Sequence, residues 1–174
     1  METDQKLPIS YADKTELIIP EFGSTPAIPL DVSAIKEGES RLIEAKVVNG
    51  GTYNELEYTF NEGYRQAKRH LSVIGYQITQ AKKAQRAAKS KAILDEYPDF
   101  LKDSKLKDNA TVRDAYLERQ SDYVTSQDRI DMLTALECLI EGKIKVFENV
   151  CRYMKKQMDI TIRSGIDSNK YVGR

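Results

Sequence analysis

The chain has 174 residues, 40 % of them hydrophobic and 31 % charged, with 27 Lys and Arg against 27 Asp and Glu. That is enough for one domain with a real core. The chain holds no run of about eighteen apolar residues, so no transmembrane helix is expected, and the polar, acidic start METDQKLPIS does not read as a secretory signal. The neutral average hides a segregation: Gly63 to Leu94 hold eight cations and no carboxylate, which leaves the rest of the chain at net −8. Segregation of this kind points to a polyanion-binding face.

In chain order, residues 1–38 hold four of the five prolines. Proline fixes φ and removes a donor, so this part reads as an extended acidic arm with room for short β pairing. It is either a solubilising tail or an arm that docks on a partner or on the chain's own basic helix. A short helix is expected around Ser40–Val48, ended by Asn49-Gly50-Gly51. Thr52 with Glu55 fits a capping box, and one long helix is expected from about Tyr53 to Tyr97. Phe60, Tyr64, Ala67, Leu71, Ile74, Ile78, Ala81, Ala88 and Ala92 recur along it at heptad steps, with Gln85 in one slot. Gly63 and Gly75 lie inside it, each costing about 1 kcal/mol relative to Ala. Pro98 is expected to end the helix, and Asp95–Asn109 to form a loop.

A second long helix is expected from Thr111, capped by Thr111 and Asp114. Its apolar stripe includes Ile130, Leu133, Ile140, Ile144, Phe147 and Met154. Glu137 stands either in a core slot or, if the helix is slightly rotated, at its edge. So broad an apolar face should not stay in water. The expected fold class is therefore all-α: two long antiparallel helices in a helical hairpin, self-associating into a bundle or ring through Ile130, Leu133, Glu137, Ile140, Ile144, Phe147 and Met154. Three parts result: the arm 1–38, a helical oligomerising and DNA-binding domain 39–160, and a polar tail 161–174.

Little in the chain suggests catalysis. His70 is the single histidine and reads as a surface helix side chain. No phosphate-binding glycine loop, nucleophile elbow or Cys-x-x-Cys occurs. Cys138 and Cys151, thirteen residues apart on one helix, would stand about 20 Å apart and cannot pair within the chain; they read as reduced thiols in the cytoplasm. No enzyme activity, cofactor or metal is expected. The signal left is polyanion binding by Arg65, Lys68, Arg69, Lys82, Lys83, Arg86, Lys89 and Lys91, with Tyr64, Tyr76 and Tyr97 as base-stacking candidates. Cations neutralise phosphates without reading sequence, and rings stack on unpaired bases, which favours single strands over major-groove readout. The competing readings are docking of the basic helix on the acidic parts of the chain's own oligomer and, less well matched, an anionic membrane surface.

The segment Lys91-Ala92-Ile93-Leu94-Asp95-Glu96-Tyr97 resembles a segment Lys-Ala-Arg-Leu-Asp-x-Tyr of the UvsY family of phage recombination mediators, and Leu133–Met158 resembles that family's oligomerising C-terminal part. The resemblance covers roughly residues 53–160. It implies a ring-like homo-oligomer that binds single-stranded DNA and helps a RecA-like recombinase replace single-strand-binding protein during DNA recombination and repair. It would act in the host cytoplasm if phage-encoded. Lys91 matches a cation of the family segment; Ile93 stands where the family has Arg, so Arg86 and Lys89 would have to supply that charge, or binding is weaker or differently placed. The alternatives are a helical phage assembly or scaffold protein without nucleic-acid binding, and an adaptor whose acidic arm takes a basic partner.

Overall fold

The computed structural model describes residues 15–171, with side chains described to residue 164. The described chain is mostly helical, as expected for the class, with one small exception. Strands β1 (Glu16–Ile19) and β2 (Ile28–Asp31) pair antiparallel, Glu16 opposite Asp31 and Ile19 opposite Ile28. Phe22 and Thr25 close the turn with reciprocal backbone bonds of 2.9 Å, and Gly23 supplies its left-handed φ of 56°. A two-stranded ribbon tolerates Pro29 because each strand keeps an outer edge. Helix α1 (Ser33–Ser40) follows at once, with Asp31 Oδ1 accepting from the Ser33 N–H at 2.9 Å. The helix expected over Ser40–Val48 therefore starts earlier, and only a 3₁₀ turn, Glu44–Val47, occupies that stretch.

The chain divides into two compact units. Among the described residues, one takes in those up to His70 together with those from Glu141 on; the other is Leu71–Ile140. Helix α1 runs across residue 38, and the last helix, Ser121–Tyr171, runs across residue 160. Ile19, Val32 and Ile35 are fully buried, so the described part of the expected arm has the short β pairing that the sequence leaves room for and packs into the first unit. Helix α2 (Tyr53–Lys91) holds this segment: Gln66 Oε1 accepts from the Ile35 N–H at 3.1 Å, and the His70 ring bonds the Asp31 carbonyl. His70 is thus buried and is not the surface side chain expected. The first unit is packed around Phe147, whose ring lies 6.2 Å from that of Phe60. Gly38 and Gly63 let backbone approach it: a Cβ would stand 2.7 Å from the ring at Gly38 and 2.9 Å at Gly63.

The start of α2 is also built differently from the expected capping box. Asn49 Oδ1 accepts from the N–H groups of Gly51 and Thr52, and Thr52 Oγ1 accepts from the Asn49 N–H. Glu55 turns away to Arg41 at 2.7 Å.

In the second unit Pro98 does not end the helical run. A π-helical turn, Ala92–Glu96, leads into α3 (Tyr97–Ser104), and Pro98 sits in the first turn of α3, where its missing N–H is not needed. The expected loop is therefore helical to Ser104, and Lys105 at φ 54° stops it. Helix α4 (Ala110–Leu117) is capped by Asn109, whose Oδ1 accepts from the Val112 N–H at 3.0 Å, in place of the expected Thr111. Helix α5 (Ser121–Tyr171) then starts afresh, so the second long helix is broken at residues 118–120. It also runs through most of the expected tail.

Ile74, Ile78, Ala81, Leu133 and Ile140 are buried in the second unit, and Gln85, in its heptad slot, bonds Gln127. Tyr97, Phe100 and Tyr116 form a ring cluster, with Tyr116 centred 5.2 Å from Tyr97 and 4.9 Å from Phe100.

Candidate nucleic-acid interface

Successive residues of a helix are rotated by about 100°. On that wheel Ile74 and Ala81 of α2 point one way and are buried, and Ala92, the first residue beyond the helix, is buried too. Lys83 and Arg86 fall on the opposite side, about 180° and 120° from Ile74, Lys82 and Lys91 lie on the two flanks, and Lys89 lies about 60° from the buried direction. All five are exposed. Lys91 has Glu96 at 4.0 Å; the other four have no ion pair among the described residues. Tyr76, 61 % exposed, lies two turns before Lys83 on the same side. The buried side here is mainly small: Ala81 and Ala92 are buried, Ala84 and Ala88 half-buried. Small residues let α2 sit low on its support, so the long cationic side chains project freely.

The cations earlier on α2, in the first unit, are engaged differently. Arg65 pairs with Glu62 at 2.6 Å, and Lys68 Nζ lies 5.5 Å from the centre of the half-buried Tyr64 ring, within cation–π range. Arg69 is exposed.

Tyr97 is not available to stack on a base. Its ring is 3 % exposed, and its hydroxyl donates to Asp108 at 3.0 Å. Burial first, then the bond to Asp108, raises the Tyr97 hydroxyl above the usual tyrosine range. The Arg113 guanidinium, bonded to the same carboxylate, holds Asp108 below the ordinary aspartate range. Asp95–Asn109 is therefore a structural latch.

The residues expected to self-associate are already used inside the chain. Ile130, Leu133, Ile140, Ile144, Phe147 and Met154 are all buried, because the chain's own α1 and α2 supply the cover that a partner was expected to give. Glu137 is half-buried at the edge of that face, its Oε1 4.0 Å from where a Cβ on Gly75 would stand. The apolar residues that α5 leaves exposed are others: Leu139, Val146, Tyr153 and Ile160, seven residues apart each time, with Ile162. Heptad reading of the sequence found the inner face and takes Leu139 and Val146 as widening it, but does not single out Tyr153 and Ile160; the row is broken by Lys143 and Gln157.

Cys138 and Cys151 are both free, and burial raises the Cys151 thiol. Among the described residues no cluster of His, Cys, Asp or Glu is placed to hold a metal ion, and no helix is long and apolar enough to cross a membrane. No family model matches the chain, and neither the curated proteins nor the solved structures yield a match.

Proposed function

We propose that this protein is a non-catalytic recombination mediator: it binds single-stranded DNA along the outer side of α2 as a homo-oligomer and helps a RecA-like recombinase replace single-strand-binding protein. The observation that carries the reading is the exposed set Lys82, Lys83, Arg86 and Lys89, on the stretch of α2 from Gly63 on that holds no carboxylate, with no ion pair to these four among the described residues. Exposed cations bind phosphates by releasing counterions, with no reading of base sequence. Tyr76 beside them can stack on an unpaired base. The mediator role itself comes from the resemblance of residues 91–97 to the UvsY family. In this reading α2 and α5 form an antiparallel hairpin, consistent with Gln85 meeting Gln127 and Gly75 lying near Glu137. Self-association then uses the outer row Val146, Tyr153 and Ile160, and repeated subunits multiply weak phosphate contacts.

The test is fluorescence anisotropy with labelled single- and double-stranded oligonucleotides at two salt concentrations. Tight, salt-sensitive binding that prefers single strands is expected. Replacing Lys82, Arg86 and Lys89 together by Ala should weaken it and reduce the salt slope by about 2, at roughly 0.7 per lost phosphate contact. An unchanged slope would move the site elsewhere. A helical assembly protein is the second reading, favoured by the exposed row on α5. Absence of binding at low salt, with a sedimenting mass well above the 19.8 kDa of one chain, would select it.

A further inference from the structure

The last described turns of α5 carry a second cationic surface that the charge pattern of residues 63–94 does not include. From Asn149 to Ser164 the sequence holds Arg152, Lys155, Lys156 and Arg163 against a single carboxylate, Asp159. Met154 in the same stretch is fully buried and Phe147, two turns back, nearly so, which fixes the rotation of the helix. At about 100° per residue, Arg152, Lys156 and Arg163 fall within an arc of about 40°, and Lys155 lies about 60° to one side. Met154 points about 160° away from Arg152. The four cations therefore form one stripe facing solvent, with Asp159 inside its arc about 20° from Arg152 and Glu148 at its near end, so the stripe has an excess of positive charge and is not free of carboxylates. All four are exposed, and their side chains have no ion-pair partner among the described residues.

We infer that this stripe is a second nucleic-acid backbone contact, carried by the first compact unit and built without any residue of the Lys82–Lys89 set. From Arg152 to Arg163 it is about 16 Å long at 1.5 Å per residue. One strand of a duplex carries a phosphate about every 3.4 Å, so the stripe faces at least as many phosphates as it has cations. Tyr153 and Ile160 beside the stripe stay exposed, and an interfacial helix lays an apolar face into the bilayer, so lipid is the outcome that the vesicle comparison below separates from nucleic acid. The inference rests on nucleic acid being the ligand, as proposed above, but not on the α2 cations being the site.

The experiment compares the salt dependence of oligothymidylate binding, by fluorescence anisotropy, for three full-length proteins: the unaltered chain, the α2 triple alanine variant, and a variant with Arg152→Ala, Lys155→Ala, Lys156→Ala and Arg163→Ala. The α5 variant should keep its circular dichroism, because the replaced side chains have no ion-pair partners, and lose up to about 3 from the salt slope at roughly 0.7 per contact. The charge-conserving pair Arg152→Lys and Arg163→Lys should keep the slope; losing it would overturn a contact made by charge alone. A slope unchanged in the α5 variant but flattened in the α2 variant overturns this inference and leaves the proposed function standing. No binding by the unaltered chain overturns both. Phosphatidylserine vesicles bound by the unaltered chain and not by the α5 variant, with oligothymidylate bound equally by both, assign the stripe to lipid and overturn the inference.

Discussion

Around Phe147 the chain packs backbone against a ring; around Tyr97 it packs ring against ring. In the first region Gly38 and Gly63 have given up their side chains so that α1 and α2 can close on Phe147. In the second, Tyr97, Phe100 and Tyr116 fill the space with their own bulk, and the Tyr97 hydroxyl finds Asp108. A glycine contact cannot shift, since a Cβ would already overlap its neighbour. An aromatic cluster with hydrogen-bonded hydroxyls at its rim depends also on a charged latch, and so on pH. Close packing thus holds the β ribbon and α1 in place, whereas the break between α2 and α4 is held by rings and one ion pair.

That contrast can be broken most forcefully at its centre. Phe147→Ala should cost about 3–5 kcal/mol in chemical denaturation, the usual range for emptying a buried phenylalanine site; a loss below about 1 kcal/mol would mean that the Gly38 and Gly63 contacts are slack. Next, two glycines of the same helix should respond with opposite sign. Ala normally gains about 1 kcal/mol over Gly inside a helix. At Gly63 the new methyl meets the Phe147 ring at 2.9 Å and the Ala34 carbonyl at 3.0 Å, so Gly63→Ala should lose about 1–3 kcal/mol to overpacking. At Gly75 nothing lies closer than Glu137 Oε1 at 4.0 Å, so Gly75→Ala should gain about 0.5–1 kcal/mol. Equal signs in thermal or urea unfolding would refute the distinction.

The smallest effect is expected at the latch. Asp108 is held below the ordinary aspartate range by Arg113 first, so its folded value lies below its unfolded one. Its contribution is full above the unfolded value and fades as pH falls through the folded one. The melting temperature should therefore drop as pH falls through and below the ordinary aspartate range, and Asp108→Asn should make that drop shallower. Parallel curves for the two proteins would remove Asp108 as a cause.

The heptad slots were legible because burial on a helix repeats every three or four residues. Phe60, Ile74, Leu133, Ile140 and Phe147 all stand where that rhythm puts them and are buried. The ends of the helices were less legible. Asn49 and Asn109 organise the starts of α2 and α4, although Thr52 and Thr111 carry the expected signature, because several nearby polar side chains compete for the same free N–H groups. Pro98 reads equally as a stop or as a first turn, and only its neighbours decide. Tyr97 looks like an aromatic beside a basic helix; its burial depends on Phe100 and Tyr116, the latter nineteen residues on. His70 owes its burial to strand β2, a short pairing that the sequence leaves room for, but whose docking against α2 depends on contacts far along the chain.

By itself the sequence determined the helical class, the apolar rhythm of both long helices and the separation of the cations of residues 63–94 from the carboxylates. Those properties depend on local spacing and composition, which are complete in the chain as written. Only the tertiary structure decided that residues 15–40 pack as part of a compact unit, that the broad face of α5 is covered from within the chain, and that Leu139, Val146, Tyr153 and Ile160 are left outside. The reason is that a hydrophobic face specifies that it must be covered but not by what. Whether the cover is another copy or the chain's own ribbon and helix depends on contacts up to about a hundred residues apart, such as that of Glu39 with Lys143.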